Sequence, residues 1–398
     1  MLPTSTTAAA PAPAGSGARA VLSLPTGATV SVCAAVTGGI WALTSLHQLP
    51  DPTLFTVAGR VLLSSQGLGV FSDPQLQVGP AYLAFVGVLT LVASVLHLTP
   101  ELLVAVVASA VIGLGTVVVT RQALALQGRR SATVELGAGL TVVLASPLCA
   151  AAWGGHFEEL LTALMLLAAA HCAGRDRLVW CGMLIGLAAS TKMWGLLGVG
   201  LLLIDTSAAP LMSAARLGRL ARGAMAMVAV VLAAYLPFLS HGDVATLTKT
   251  WSISFPAPVA LLADGSAYSF GLRAGQALCA IALGAALALA GRRDVRTLWS
   301  VPAAVIGLRL LLDPFLQSYY LAAALLVLAV GVWSMDDSAQ HVRALAVSAT
   351  MPVVWAVFMV VQGAPGSVVT AILLVVSVAA VSWIRVTAGL GWGTVDSR

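Results

Sequence analysis

The sequence has 398 residues, of which 59% are hydrophobic and only 9% charged, with a formal net charge of +5 and a mean hydropathy of +0.98. Apolar runs of about 20 residues recur along its whole length, which excludes a soluble enzyme and marks helices that cross a bilayer. The positive balance reads as basic loops beside anionic lipid headgroups, not as a nucleic-acid surface.

Residues 1–27, rich in Ala, Pro, Ser and Thr, are expected to form a disordered cytoplasmic tail. No cleavable signal peptide is read. The first apolar segment, 28–46, is long enough to remain as an anchor. An outward loop over 47–78 follows, holding Asp51, Arg60 and Asp73. Asp51 stands before Pro52 and reads either as a helix-ending turn or as a membrane-surface carboxylate able to take a proton from a hydroxyl. Residues 79–98 and 101–120 are both long enough to cross. The charge pattern leaves room for one crossing, so 79–98, opening with Gly79-Pro80, is assigned to a re-entrant or interface-lying helix.

Basic residues cluster at Arg121/Arg129/Arg130, Arg175/Arg177, Arg216/Arg219/Arg222 and Arg292/Arg293/Arg296, with Arg19, Arg343, Arg385 and Arg398 single. The positive-inside rule places all of them in the cytoplasm. The span 132–150 then runs outward and 159–173 returns. Between them lies Gly154-Gly155-His156-Phe157-Glu158-Glu159, a histidine and two carboxylates at the head of an apolar helix. Such a set can bind metal, orient a sugar hydroxyl or stabilise a helix N-terminus. Residues 178–205 begin and end inside but are too few for two full spans, so they form a broken hairpin with Lys192 near its outer tip. Lys192 either snorkels to the interface or meets a phosphate or carboxylate.

Spans over 223–239, 274–290, 297–311, 318–333, 343–361 and 366–384 bring the total to about twelve crossings with both termini inside. A second long outward loop covers 240–272. Arg273 follows it, as an interface anchor or a phosphate contact. Arg309, Asp313, Tyr319 and Tyr320 meet at the outer ends of two spans, where the tyrosines alone would be ordinary interface residues. Cys33, Cys149, Cys172, Cys181 and Cys279 lie in or beside apolar stretches without a C-x-x-C pair and read as packing thiols. The inventory is carboxylates and cations converging on one outer face. That suits attack by a hydroxyl on a lipid-phosphate-linked sugar, with a carboxylate as base and Lys or Arg at the departing phosphate.

In order and spacing these segments resemble the GT-C superfamily of integral-membrane glycosyltransferases, and look closest to the polyprenol-phosphate-dependent mannosyl- and arabinofuranosyltransferases related to glycosyltransferase family 87. The resemblance covers most of 28–335. It rests on the acidic Asp51, Gly67-Leu68-Gly69-Val70-Phe71-Ser72-Asp73-Pro74, Gly155-His156-Phe157-Glu158-Glu159, Gly186-Leu187-Ala188 with Lys192, and Arg309 with Asp313-Pro314 and Tyr319-Tyr320. It implies an all-α polytopic fold of GT-C type, with a catalytic module over 28–335 and a C-terminal helix pair in 336–398. It also implies inverting single-displacement transfer of mannose or arabinofuranose, on the outer face of the plasma membrane. The donor would be a polyprenyl-phosphate sugar and the acceptor an envelope glycan or glycolipid, with no cofactor or metal.

By the same resemblance Asp51 is the base, with Asp73 as the fallback. His156, Glu158 and Glu159 line the sugar or acceptor site, Lys192 approaches the donor phosphate, and Arg309, Asp313, Tyr319 and Tyr320 close the pocket. The chain departs from its relatives in Phe157 for proline, in glutamates where aspartates are commoner, in Met193 after the lysine where proline often stands, and in Phe55 for tyrosine. Two rival functions are a transporter or flippase of a lipid-linked sugar, which predicts charges at mid-membrane depth, and a non-catalytic partner in envelope synthesis.

Overall fold

The computed structural model describes residues 24–45, 51–204, 213–242, 244–245, 249–291, 294–335, 340–361 and 363–389. Most of the expected N-terminal tail and the C-terminal Arg398 lie outside this range. The chain is an all-α polytopic membrane protein. In chain order come α1 (Leu24–Ser45), α2 (Asp51–Leu62), a 3₁₀ turn (Gly67–Ser72), α3 (Pro80–Leu96), α4 (Pro100–Leu126), α5 (Ala132–Leu144), α6 (Pro147–Gly154), α7 (Phe157–Gly174) and α8 (Leu178–Thr191). A 3₁₀ segment (Met193–Leu203) and α9 (Ala214–His241) follow. Then come β1 (Trp251–Ser252), α10 (Ala260–Ala263), β2 (Ala267–Tyr268), α11 (Phe270–Ala290), α12 (Ser300–Leu311), α13 (Ser318–Ser334), α14 (Gln340–Val360) and α15 (Gly363–Gly389). The two short strands pair antiparallel.

Among the described residues seven helices are long and apolar enough to cross a membrane: α1, α4, α5 with α6, α7, α9, α11 and α15. The other apolar helices are shorter, α3, α8, α12 and α13 among them. Several hydroxyls inside these helices bond back to their own backbone: Thr116 and Thr120, for example, donate to the carbonyls four residues earlier, which satisfies them in an apolar surrounding. Helices approach most closely at small residues. A Cβ on Gly59 would lie 2.7 Å from the Gly87 nitrogen, and one on Gly182 would strike the Gly223 carbonyl. Such contacts let α2 cross α3, and α8 cross α9, backbone against backbone.

Three expectations from the sequence are corrected. In its described part the segment 47–78, expected as an outward loop, is not an open loop, since Asp51–Leu62 form α2 and Gly67–Ser72 a 3₁₀ turn. Asp51 does not end a helix but begins one, with Pro52 in the first turn, where a missing N–H costs nothing. The span 132–150 is two helices, broken at Ala145-Ser146, where Ser146 takes a left-handed φ of 89° and Pro147 starts α6. The segment 79–98 forms α3, packed against α2, α4 and α8.

The hairpin expected over 178–205 is present in its described part, 178–204. A Cβ on Gly195 would meet Ala188 and Ala189, while Gly223 of α9 lies against both Leu178 and Leu202. The two limbs therefore fold back on each other, with Lys192 at the bend. Its tip is tied to the start of α3, where the Gly79 N–H donates to the Thr191 carbonyl at 2.8 Å.

The basic ends of the helices gather at one end of the bundle. Arg121 pairs with Glu135 at 2.6 Å, Arg175 reaches the Gln122 carbonyl and Arg219 lies 3.4 Å from Asp176. Buried Arg385 donates to the Leu287 and Asp294 carbonyls and to Thr297 Oγ1. Helix α7 runs from His156 to Arg175. Its 18 residues, about 27 Å at 1.5 Å each, separate this basic end from the candidate site.

Candidate active site

The site is built around the sharp turn between α6 and α7. Gly155 closes α6 at φ 70°, its N–H bonding back to Ala151 and Ala152. The first turn of α2 sits directly on it, since a Cβ on Gly155 would lie 2.5 Å from Pro52 Cγ. This contact brings Asp51 beside His156. Tyr82 of α3 donates to the Gly155 carbonyl at 3.3 Å, and Phe55 of α2 meets the His156 ring edge-on at 5.3 Å.

From Asp51 an unbroken line of ionisable groups crosses the end of the bundle opposite the basic helix ends. His156 Nε2 lies 3.0 Å from Asp51 Oδ2, and Nδ1 lies 2.7 Å from Glu158 Oε1. Lys192 Nζ stands 2.8 Å from Glu158 Oε1 and 2.8 Å from Glu159 Oε1. Glu159 Oε2 accepts from Trp194 Nε1 at 2.8 Å and from Arg309 Nη1 at 3.2 Å. Arg309 Nη2 lies 3.5 Å from Asp313 Oδ2. Glu158 and Glu159 are fully buried, while the Asp51 side chain is 41% exposed. The line thus has one wet end and a dry middle.

Local sequence explains the pairings. Adjacent residues on a helix point about 100° apart, so Glu158 turns to His156 while Glu159 turns to Trp194 and Arg309, and Lys192 lies between them. Neither glutamate caps its own helix; both reach partners far away in sequence, which answers the capping alternative for this pair. Burying two carboxylates side by side is tolerable only with paired cations, and Lys192 and Arg309 provide them.

Aromatic rings wall the line. The Tyr319 ring stacks on His156 with centroids 3.7 Å apart and 12° between planes. The Tyr320 ring faces Lys192 at 5.5 Å and Arg309 at 5.0 Å, and Trp194 faces Arg309 at 4.9 Å. Two groups outside the helices are electrostatically shifted. Burial works against a charged His156 ring, but the Glu158 carboxylate and Asp51 outweigh it and lift the imidazole above its ordinary range. Burial likewise raises Asp313, to about 6, against the opposing pull of Arg309.

Nine of the twelve residues singled out in the sequence therefore meet in one network: Asp51, His156, Glu158, Glu159, Lys192, Arg309, Asp313, Tyr319 and Tyr320. Arg273 stands near it, close enough to feel the charge of Asp313. Asp73 does not join the line. Its Oδ1 accepts from the Gln75 N–H at 2.8 Å, within its own turn. Arg60 also stands apart: nine residues along α2 is two and a half turns, so it leaves the helix opposite Asp51 and is exposed.

Trp194, Tyr82 and Gln276, which donates to the Arg309 carbonyl at 2.9 Å, were missed. Only Trp194 had a signal, as an indole two residues past the lysine. Among the described residues no three His, Cys, Asp or Glu side chains form a set able to hold a metal ion, because the carboxylates face N–H donors instead of one another.

No protein-family model matches the chain, and no curated protein matches it. Among solved structures, the crystal structure of ArnT from Cupriavidus metallidurans in the apo state is similar over 93% of this chain and 76% of that chain, at 16% identity and a TM-score of 0.49.

Proposed function

We propose that the chain is a GT-C-type membrane glycosyltransferase that moves a sugar, mannose or arabinofuranose, from a polyprenyl phosphate to a hydroxyl of an envelope glycan or glycolipid at the outer face of the plasma membrane. One observation carries the reading: a continuous line of ion pairs at a single end of the bundle, dry in its middle and ending in the half-exposed carboxylate of Asp51. In the proposed step Asp51 takes the proton of the acceptor hydroxyl. The hydroxyl oxygen bonds to the anomeric carbon from the face opposite the phosphate, and the C–O bond to phosphate breaks with its electron pair leaving on the polyprenyl phosphate.

The cations divide their work. Lys192 is surrounded by Glu158, Glu159 and the Tyr320 ring, so we assign it to holding the two glutamates rather than the phosphate. The phosphate is assigned to the Arg309 end, where Asp313 is the longest-held partner in the line, at 3.5 Å. An apolar groove supports a lipid-linked donor. It is lined by Gly307, Leu321, Leu325, Phe358, Leu373 and Val381 of α12 to α15, among others. Two of its lining residues, Gly307 and Leu321, stand within two residues in sequence of Arg309 and Tyr320. In this reading residues 28–335 are the catalytic module and the C-terminal pair α14 and α15 completes the groove.

Purified protein in lipid nanodiscs is expected to transfer sugar from a polyprenyl-phosphate donor. Asp51→Asn is expected to lower kcat by about 10²–10⁴-fold, and Asp73→Asn to leave it unchanged. Full activity in Asp51→Asn would remove Asp51 as base. Movement of intact lipid-linked sugar across the bilayer without phosphate release would replace the enzyme reading with a flippase.

A further inference from the structure

We infer that His156 is a positioning residue held as an imidazolium, clamping one oxygen of Asp51 so that the other faces the acceptor hydroxyl. The inference rests on the reading of Asp51 as base and adds a role for the histidine that the motif alone does not supply.

The hydrogen-bond inventory leads to it. Both ring nitrogens lie within hydrogen-bond distance of carboxylate oxygens, at 3.0 Å and 2.7 Å. A neutral imidazole has only one N–H, so one contact would set a lone pair against a carboxylate oxygen. The Glu158 side cannot supply the missing proton, because its Oε1 also receives the Lys192 ammonium at 2.8 Å and is therefore ionised. A doubly protonated ring satisfies both contacts, with Nδ1–H donating to Glu158 and Nε2–H to Asp51. The parallel Tyr319 ring at 3.7 Å places a π face against that cation.

The groups facing the ring, element by element, are Asp51 from α2, Glu158 from α7, Lys192 from the bend after α8, and Tyr319 from α13. Two anions and one cation leave the balance in favour of a charged ring, in the direction of the upward shift described above. Asp51 needs such a clamp. It sits in the first turn of its helix, 41% exposed, and a free carboxylate there would rotate among several orientations. With Oδ2 fixed, Oδ1 alone is left to accept the hydroxyl proton. His156 keeps both of its protons through the reaction, so the proton balance of the transfer is unchanged.

The test has two arms. In the first, protein labelled with ¹⁵N-histidine is observed by NMR in nanodiscs, with His156→Gln identifying the signal among the six histidines. Both nitrogens of His156 are expected to be protonated at pH 7 and to stay so above the pH at which a free histidine is neutral. In Asp51→Asn the ring should titrate at lower pH. A neutral ring at pH 7 in the wild type overturns the inference, whatever reaction the protein performs.

In the second arm, transfer is followed against pH. A cation clamp loses its proton as pH rises, so wild-type kcat should fall on the alkaline side. Glutamine can donate to Asp51 without titrating; His156→Gln should keep a reduced kcat and an unchanged donor KM, and lose the alkaline fall. His156→Ala should lose more kcat than His156→Gln. An alkaline fall that survives in His156→Gln overturns the role. If the wild type transfers no sugar while the ring behaves as described, the clamp stands and the assigned reaction falls.

Discussion

At the scale of the residue, the site is an exercise in keeping buried charge paired. Glu158 and Glu159 have no exposed surface, so their ionised forms depend on neighbours. Lys192 serves both at once. Replacing it with methionine, which keeps the apolar stem and removes the charge, strands one carboxylate pair around a missing cation. Loss of about 3–5 kcal/mol is expected from breaking a buried pair on one side, measurable as a fall in the unfolding temperature in detergent. Lys192→Arg should restore only part of it, because a planar fork does not fit between two carboxylates that meet a single ammonium. These residues were legible in the sequence because charge is scarce in an apolar chain and each instance demands a partner. Which partner was not legible. The lysine was expected to snorkel or to meet a phosphate or a carboxylate, and it stands between two carboxylates. Arg60, read from the sequence as a further candidate, lies on the face of α2 opposite Asp51.

At the scale of the element, the decisive feature is the turn at Gly155. Its φ of 70° and its contact with Pro52 make it the point where α2 is pressed onto the start of α7. Gly155→Ala carries a left-handed penalty of about 1–2 kcal/mol and also pushes Pro52, and Asp51 with it, away from His156. The expected outcome is a kcat loss well beyond what the shift in melting temperature accounts for, read by comparing transfer rates with thermal unfolding of the same preparation. Element boundaries followed from apolar run length and, at Pro80, from a proline at a helix start. Breaks such as Ser146 were hidden, because a serine before a proline in an apolar run resembles an ordinary span.

At the scale of the whole molecule, charge patterning foresaw that the arginine clusters would part from the candidate-site carboxylates, and α7 holds the two about 27 Å apart. Not foreseen was the groove formed by α12 to α15, since its walls come from four segments that are each unremarkable alone. If a donor's isoprenoid chain lies there, Ala324→Trp should raise KM for a long-chain donor several-fold while leaving a short-chain, water-soluble analogue unaffected; equal effects on both would count against the groove.

The hairpin at Lys192 carries a final consequence. Its outgoing limb is 14 residues of α-helix, about 21 Å long, and its returning limb is 11 residues of 3₁₀ helix, about 22 Å long at 2 Å per residue. The tighter winding lets fewer residues cover the same depth, so the bend stands level with Glu158 and Glu159 although the limbs are unequal in sequence. Rewinding the return limb as an α-helix would shorten it by about 5–6 Å, a full helical turn, and draw the ammonium off the two carboxylates. Helix type here acts as a ruler that sets the height of one charge.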